Sequence, residues 1–307
     1  MKKAILSLVM LLSVMSVMGQ DAVIGTTIKE GDVAPNIQMK NEKGEDFNLY
    51  SLNNGSSYKL LYFWTSTNEE CQRSTAVLKL LVDKYWINGV SFIGVNFDTD
   101  ADAWTKAFTD AKLTRMINVS ELKDAASSEG AKAYGITTLP ELILIDSSNK
   151  LVSATNDINK MVYKLDELDR AGKIVNNAYQ TPDQNPEFRG GKAMLMNFLS
   201  RNVRYPQKAV QMGAQAKVVV TFVIDKEGKV KDVTATDYEL ISIGSKDYLR
   251  LDDETKEKTK QQVRTIFCDE AERVVSGMPK WTPGMKNGQT LTVKYNLPVT
   301  FRMSFAQ

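Results

Sequence analysis

Apolar positions in the first half of the chain form short continuous runs separated by helical stripes. The runs at Tyr58–Trp64 and 90–97 are apolar at most positions, which is typical of strands buried on both faces of a sheet. Between them, residues 69–87 repeat apolar side chains at helical spacing, and another apolar run follows at Glu141–Asp146. This alternation predicts an α/β domain whose mixed sheet has helices on both faces.

The second half has a different order of elements. A polar stretch without periodicity, at residues 176–185, predicts a linker between two domains, and we place that linker at residues 171–185. The elements predicted after it are a helix at Gly191–Asn202, strands at 217–225 and 229–236, a charged helix at 252–276 and a last strand at 290–302. Their order predicts an α+β domain, a small antiparallel sheet with helices.

The last predicted strand alternates apolar and polar residues until Pro298. Proline has no N–H for a sheet interior, so its presence predicts an edge strand. Extended peptides dock on such edges by β-augmentation.

Composition is that of an ordinary globular protein. The 307 residues are 43 % hydrophobic and 25 % charged, with a formal net charge of +2. The length predicts two domains, and the charge balance gives no indication of nucleic-acid binding.

The N-terminus has the pattern of a signal peptide, which we place at residues 1–19. Lys2 and Lys3 precede an apolar stretch of about 15 residues, short for a bilayer span, and small residues stand at Val17 and Gly19. The prediction is an exported, periplasmic protein. The alternative is an uncleaved N-terminal anchor helix.

Two amino-acid counts limit the chemistry. The chain has no histidine, which excludes histidine-based catalytic triads and histidine-ligated zinc. It has two cysteines, Cys71 and Cys268, too far apart in sequence for a CxxC motif. A disulfide between them stays open, although they fall in different predicted domains. We expect no metal and no cofactor.

Three segments of the first half carry a family resemblance. They are GDVAP at 31–35, FWTS at 63–66, and TLP at 138–140 before the strand ELILID. In this order they resemble the secreted thioredoxin-like family of TlpA and ResA, and the domain is expected at residues 20–170. The resemblance implies a thioredoxin-like fold and a cis-proline at Pro140. Because the backbone before that proline pairs with peptides in active relatives, it also implies peptide binding at Leu139 and Pro140.

The family's redox motif is altered here. Asn68-Glu69-Glu70-Cys71 stands where the resemblance implies CxxC, so Asn68 replaces the attacking thiol. Dithiol exchange needs a second thiol to release the mixed disulfide, and one cysteine cannot complete that cycle alone. Cys71 therefore has two interpretations: a small buried side chain, or the candidate catalytic group of a single-thiol oxidoreductase or peroxidase.

The second half resembles the TonB C-terminal domain, expected here at residues 186–307. The matching segments are PEFRGG at 186–191, NVRYP at 202–206, GAQAKVVV at 213–220, MPKWTPG at 278–284 and VKYNLPVTF at 293–301. Residues 238–267 look like an insertion. Because the family pairs with extended segments of outer-membrane transporters, the resemblance implies peptide binding at Thr292, Val293, Lys294, Tyr295 and Asn296.

The favoured function is an exported, non-catalytic protein-binding module whose partner is an extended peptide of an envelope protein. It would meet a membrane through a partner or an uncleaved N-terminal helix. One alternative is an oxidoreductase using Cys71. Another is a membrane-anchored TonB-type energy transducer, although the chain has no long Pro-rich spacer.

Overall fold

The computed structural model describes residues 26–303, so the predicted signal peptide lies outside the described part. In the first region the strands are β1 Gln38–Asn41, β2 Asp46–Asn48, β3 Tyr58–Trp64, β4 Val90–Asn96, β5 Ile117–Ser120, β6 Glu141–Asp146 and β7 Leu151–Thr155. The helices are α1 Glu69–Tyr85, α2 Ala101–Asp110, α3 Glu129–Tyr134 and α4 Ile158–Arg170.

These strands form one mixed sheet in the order β2-β1-β5-β4-β3-β6-β7. β3 pairs in parallel with β4 and antiparallel with β6, and β4 pairs in parallel with β5. All residues of β3 and β4 are buried. The predicted α/β domain with a mixed sheet is confirmed.

Successive side chains of β3 enter two different cores. Leu60 and Tyr62 pack with α1 and α4, whereas Leu61 and Phe63 pack with α3 on the opposite face. Strand side chains alternate between faces, so a strand between two helical layers is apolar at nearly every position. This explains why six of the seven residues of β3 are apolar, with Lys59 as the exception.

β5 was not predicted. It has four residues, Ile117–Ser120, of which Asn118 and Ser120 are polar and buried. A strand this short shows neither a continuous apolar run nor a full alternation, so its sequence resembles a loop.

The second region contains a three-stranded antiparallel sheet with helices. Its strands are β8 Ala214–Ile224, β9 Val230–Ile243, β10 Gly284–Lys286, β11 Gln289–Leu291 and β12 Val293–Phe301. Its helices are α5 Gly191–Asn202, α6 Gln207–Gln211, α7 Lys246–Leu249 and α8 Asp253–Ser276. The sheet order is β12-β8-β9, and β10 and β11 form a separate hairpin. The predicted α+β architecture is confirmed.

Two predicted boundaries in this region are wrong. The second strand does not end at residue 236 but continues to Ile243, because alternating side chains such as Tyr238 and Leu240 keep it paired with β8. The first six residues of the expected insertion are therefore strand. The last predicted strand is divided into β11 and β12, and Thr292 lies between them.

The predicted linker contacts both regions. Asn176 pairs with Ser56 in an isolated bridge, and Asn177 N–H donates to Gly55 O at 2.8 Å. Further along, Gln184 pairs with Met285. The segment thus lacks helix and strand but is held at both ends.

One face of the three-stranded sheet packs against the first region. Thr234 Oγ1 donates to Asp83 O at 3.4 Å, and Lys294 Nζ donates to Asn88 Oδ1 at 2.9 Å. The last five residues of β8, VTFVI from Val220 to Ile224, are all buried. The opposite face of the same sheet covers the core built with α5 and α8. The C-terminal part of β8 is mostly apolar because both of its faces are buried.

An ion-pair cluster closes this junction. Arg115 lies 2.7 Å from the Asp83 carboxylate and 3.3 Å from Glu272, and it donates to Val233 O at 2.6 Å. Glu272 also accepts from Ala235 N–H at 2.8 Å. One guanidinium therefore joins α1, β9 and α8.

Candidate functional site

Asn68 caps the helix that carries Cys71. Its backbone is extended, and its Oδ1 accepts from Cys71 N–H at 3.0 Å. Glu69 and Glu70 follow in the first turn, where carboxylates suit the helix dipole. The carboxamide thus stabilises the helix start at the position where the family resemblance places a nucleophile.

Cys71 is enclosed beneath this cap, with 1 % of its surface exposed. Burial raises the pKa of its thiol, and a hydrogen bond with the Thr65 backbone opposes that shift. Thiolate is the reactive form, so the surroundings disfavour chemistry at this sulfur. The nearby Arg73 does not help, because its guanidinium pairs with Glu70 at 2.7 Å.

A cavity of about 400 Å³ lies beside this helix start. Its lining includes Thr65, Thr67, Asp98 and Leu139, and it does not include Asn68 or Cys71. The Leu139–Pro140 peptide bond is cis, as the resemblance implies. The cleft beside the cis-proline is therefore present, and the thiol lies outside its lining.

Asp98 holds the loop that forms one wall of this cleft. Its carboxylate accepts from Ser66 N–H at 2.9 Å and from the Thr65 hydroxyl, and Asn96 Nδ2 donates to it at 3.0 Å. The role of Asp98 was not predicted from the sequence. A signal existed, since Asp98 follows a buried strand parallel to β3, and the ends of parallel neighbours meet at one sheet edge.

The second group of predicted site residues lies on and before β12. β12 is an edge strand that pairs with β8 without interruption from Val293 to Phe301, which confirms the predicted edge. Within residues 26–303 no other strand pairs with it. Its outer backbone groups are thus unpaired by any described strand.

Most of the predicted side chains here are engaged within the fold. Val293 is buried, Lys294 binds Asn88, and Tyr295 packs on Trp281 with ring centroids 5.1 Å apart. Asn296 is exposed, and its Oδ1 accepts from the Thr221 hydroxyl at 2.9 Å. Thr292 precedes the strand. The backbone of this edge, rather than these side chains, is what the structure presents.

The cleft and the edge do not form one site. Asn68 begins α1, whereas Asn88, which binds Lys294, lies just beyond its other end. The 17 residues of α1 span about 25 Å. Any ligand therefore meets these two groups of predicted residues at separate places.

The remaining chemistry of residues 26–303 is limited. Both cysteines are free, and the described residues contain no cluster of acidic residues and cysteines suited to a metal ion. In the same part of the chain, no helix combines the length and apolar character of a membrane span.

Each of the two regions of the chain matches the model of a known protein family. A model described as thioredoxin-like matches residues 55–151, and one described as the Gram-negative bacterial TonB protein C-terminal matches residues 201–261. A thioredoxin-like region is therefore followed along the chain by a region similar to the TonB C-terminal domain. The TonB match includes most of the expected insertion and ends before β12, so the role of β12 rests on its place in the sheet.

Solved structures similar to the thioredoxin-like region include two thiol-disulfide oxidoreductases. A thiol-disulfide oxidoreductase from Bacteroides fragilis is 32 % identical, with a TM-score of 0.41, over 45 % of this chain and 99 % of that one. The thioredoxin domain of a thiol-disulfide oxidoreductase from Bacteroides vulgatus is 25 % identical, with a TM-score of 0.40, over 45 % and 99 %. Comparison with curated proteins found no match.

The buried thiol leads to a first prediction. In a Cys268→Ser variant of the folded protein, Cys71 should react with Ellman's reagent at pH 7.5 at under about 1 % of its rate in guanidinium. Its enclosure and raised pKa both slow attack. Stopped-flow absorbance measures the two rates. Rapid reaction in the folded state, or oxidation by micromolar peroxide, would favour the oxidoreductase alternative.

Proposed function

We propose that this chain is an exported, non-catalytic protein-binding module that captures extended segments of envelope proteins at the outer edge of β12. In this proposal a signal peptide at 1–19 precedes a thioredoxin-like domain at 20–170, a linker at 171–185 and a TonB C-terminal domain at 186–307. The single observation that carries it is the regular, unpaired edge of β12. The N-terminal sequence pattern supports export to the periplasm.

The other edge of the sheet suits a partner less well. Pairing between β8 and β9 has three register irregularities, and such bulges twist an edge and interrupt pairing. β12 by contrast keeps nine consecutive partners in register.

Pro298 indicates which backbone groups of β12 point outward. A strand proline is placed with its missing N–H on the solvent side. Backbone groups share a direction at every second residue, so Lys294, Asn296 and Thr300 also face outward. This side offers three N–H donors to an incoming strand.

The thioredoxin-like domain contributes binding without dithiol exchange in this proposal. Its cleft and cis peptide bond are retained, while Asn68 is occupied as a helix cap and the Cys71 thiol is enclosed. Leu139 and Pro140 are proposed as a second peptide contact. The enclosure of Cys71 weighs against the single-thiol alternative.

Asn296 offers a matched test of docking at the edge. Asn296→Pro removes an outward N–H, whereas Asn296→Ala removes the same side chain and keeps that N–H. A peptide paired with β12 should bind about tenfold more weakly to the proline variant than to the alanine variant. The cause is a carbonyl of the peptide left without a donor.

The peptide is obtained by placing a photo-crosslinking residue at Thr300, irradiating the protein with envelope extract of the source bacterium, and sequencing the attached segment. Calorimetry with that synthetic segment then compares the two variants. Equal affinities would contradict docking by β-augmentation. A crosslinked segment that binds neither variant nor the unaltered protein would contradict the proposed function itself.

A further inference from the structure

A cavity of about 640 Å³ lies between the two domains. α1 and α8 form its walls, and the C-terminal end of α2 closes one side with Ala111. Asp83 and Glu272, joined by Arg115, lie where the two helices approach each other. Both domains are needed to make this space.

The middle of the cavity is apolar. Ala76, Val77 and Leu80 of α1 face Cys268 of α8 across it, and none of the four is fully buried. Cys268 is a free thiol, and burial raises its pKa to about 12, so it is uncharged at neutral pH. Exposed apolar surface in a concave site is typical of a ligand cavity.

The acidic residues of the lining already have cationic partners. Arg115 binds both Asp83 and Glu272, Lys112 lies 3.6 Å from Asp269, and Lys106 pairs with Asp110. None of these carboxylates is therefore left to bind a cation from outside.

Arg264 differs from these groups. Within residues 26–303 it forms no ion pair, and its guanidinium lies 5.6 Å from the centroid of the Tyr238 ring. It lines the cavity on the α8 wall, four residues from Cys268. The uncompensated charge of the cavity wall is thus positive and next to the apolar surface.

The size of the cavity suits a small molecule. Its 640 Å³ falls within the range of small-ligand sites, about 300–1,000 Å³. Two turns of an added helix, about 10–12 Å wide, would occupy roughly 1,000 Å³.

We propose that the interdomain cavity binds a small amphipathic carboxylate of the fatty-acid class, with its chain against Val77, Leu80 and Cys268 and its carboxylate on Arg264. This site is separate from the β12 edge and from the cis-proline cleft, and it does not depend on the proposed peptide binding. A guanidinium and a carboxylate form a bidentate pair, which sets the orientation of the ligand.

Dodecanoate, used below its micelle concentration, is the probe. Calorimetry on the full chain should show saturable binding of one molecule, and Arg264→Gln should weaken it at least tenfold. The control is Lys258→Gln on the exposed side of α8, where Lys258 pairs with Glu254, and it should leave binding unchanged. Dodecanol, which lacks the carboxylate, should bind both the unaltered protein and Arg264→Gln equally weakly.

A second measurement locates the ligand without any substitution. Dodecanoate should slow the alkylation of Cys268 by iodoacetamide at pH 9 at least fivefold, because the chain covers the thiol. Val77→Trp should abolish binding by filling the cavity. Absence of saturable binding, binding that Arg264→Gln leaves unchanged, or alkylation that dodecanoate does not slow would each overturn the proposal.

Discussion

Asn68→Cys is expected to convert the thioredoxin-like domain into a dithiol reductant. The substitution places a thiol three residues before Cys71, at the start of α1. The helix N-terminus stabilises a thiolate there, although Glu69 and Glu70 oppose it. The second thiol then releases the mixed disulfide, a step the unaltered chain lacks.

The insulin-reduction assay with dithiothreitol measures this change. The variant should exceed the uncatalysed rate at least about tenfold, and the unaltered protein should not exceed it. Asn68→Ser, which keeps a helix-capping side chain, should be inactive, and so should Asn68→Cys combined with Cys71→Ser. Activity in the unaltered protein would contradict the non-catalytic assignment, whereas an inactive Asn68→Cys variant would show that more than one sulfur is missing.

Arg115→Ala is expected to destabilise the protein by about 3 kcal/mol and to uncouple the two domains. Asp83 is buried and keeps only Lys79 as a cationic partner once the guanidinium is removed, and the partly buried Glu272 loses its ion pair. The hydrogen bond to Val233 O is lost as well. Since Arg115 joins elements of both domains, the single unfolding transition expected for the unaltered protein should separate into two.

Guanidinium denaturation followed by tryptophan fluorescence and by circular dichroism tests this expectation. Arg73→Ala is the control, because Arg73 forms exposed pairs with Glu69 and Glu70 and should cost less than about 1 kcal/mol. A loss no larger for Arg115→Ala than for Arg73→Ala would show that the junction depends on other contacts. If fluorescence and circular dichroism gave the same unfolding midpoint for the Arg115→Ala variant, this would also show that the junction depends on other contacts.

Much of the fold was predictable because burial leaves a clear pattern. β3 and β6 have the predicted bounds, since a strand between two helical layers is mostly apolar, with Lys59 and Glu141 as buried exceptions. Asn68 was predictable as a cap because carboxylates follow it in the first turn. β5 was not, because its short, polar sequence depends on neighbours that are distant in the chain.

The junction between the domains was the main feature missed. Thr234 is polar yet fully enclosed, because it packs against Asp83 of α1, which is distant in the sequence. Arg115 stands in a stretch without periodicity, and its three partners are far apart in sequence. The same difference between local and distant contacts applies to the candidate site. Asn68 and Cys71 were predicted from their local sequence, whereas the role of Asp98 was seen only in the structure.

The cis-proline cleft and the β12 edge lie at opposite ends of α1. Their separation determines how long a bivalent ligand must be to reach both. A single extended chain that reached both would need at least about eight residues between its two binding segments, at roughly 3.3 Å each. A tether of matching length would make the second contact intramolecular and raise avidity, whereas a shorter one would gain nothing. In a series of ligands that join the two peptides by tethers of increasing length, affinity should therefore rise sharply at one tether length. The length of α1, rather than the sequence of either peptide, sets that tether length.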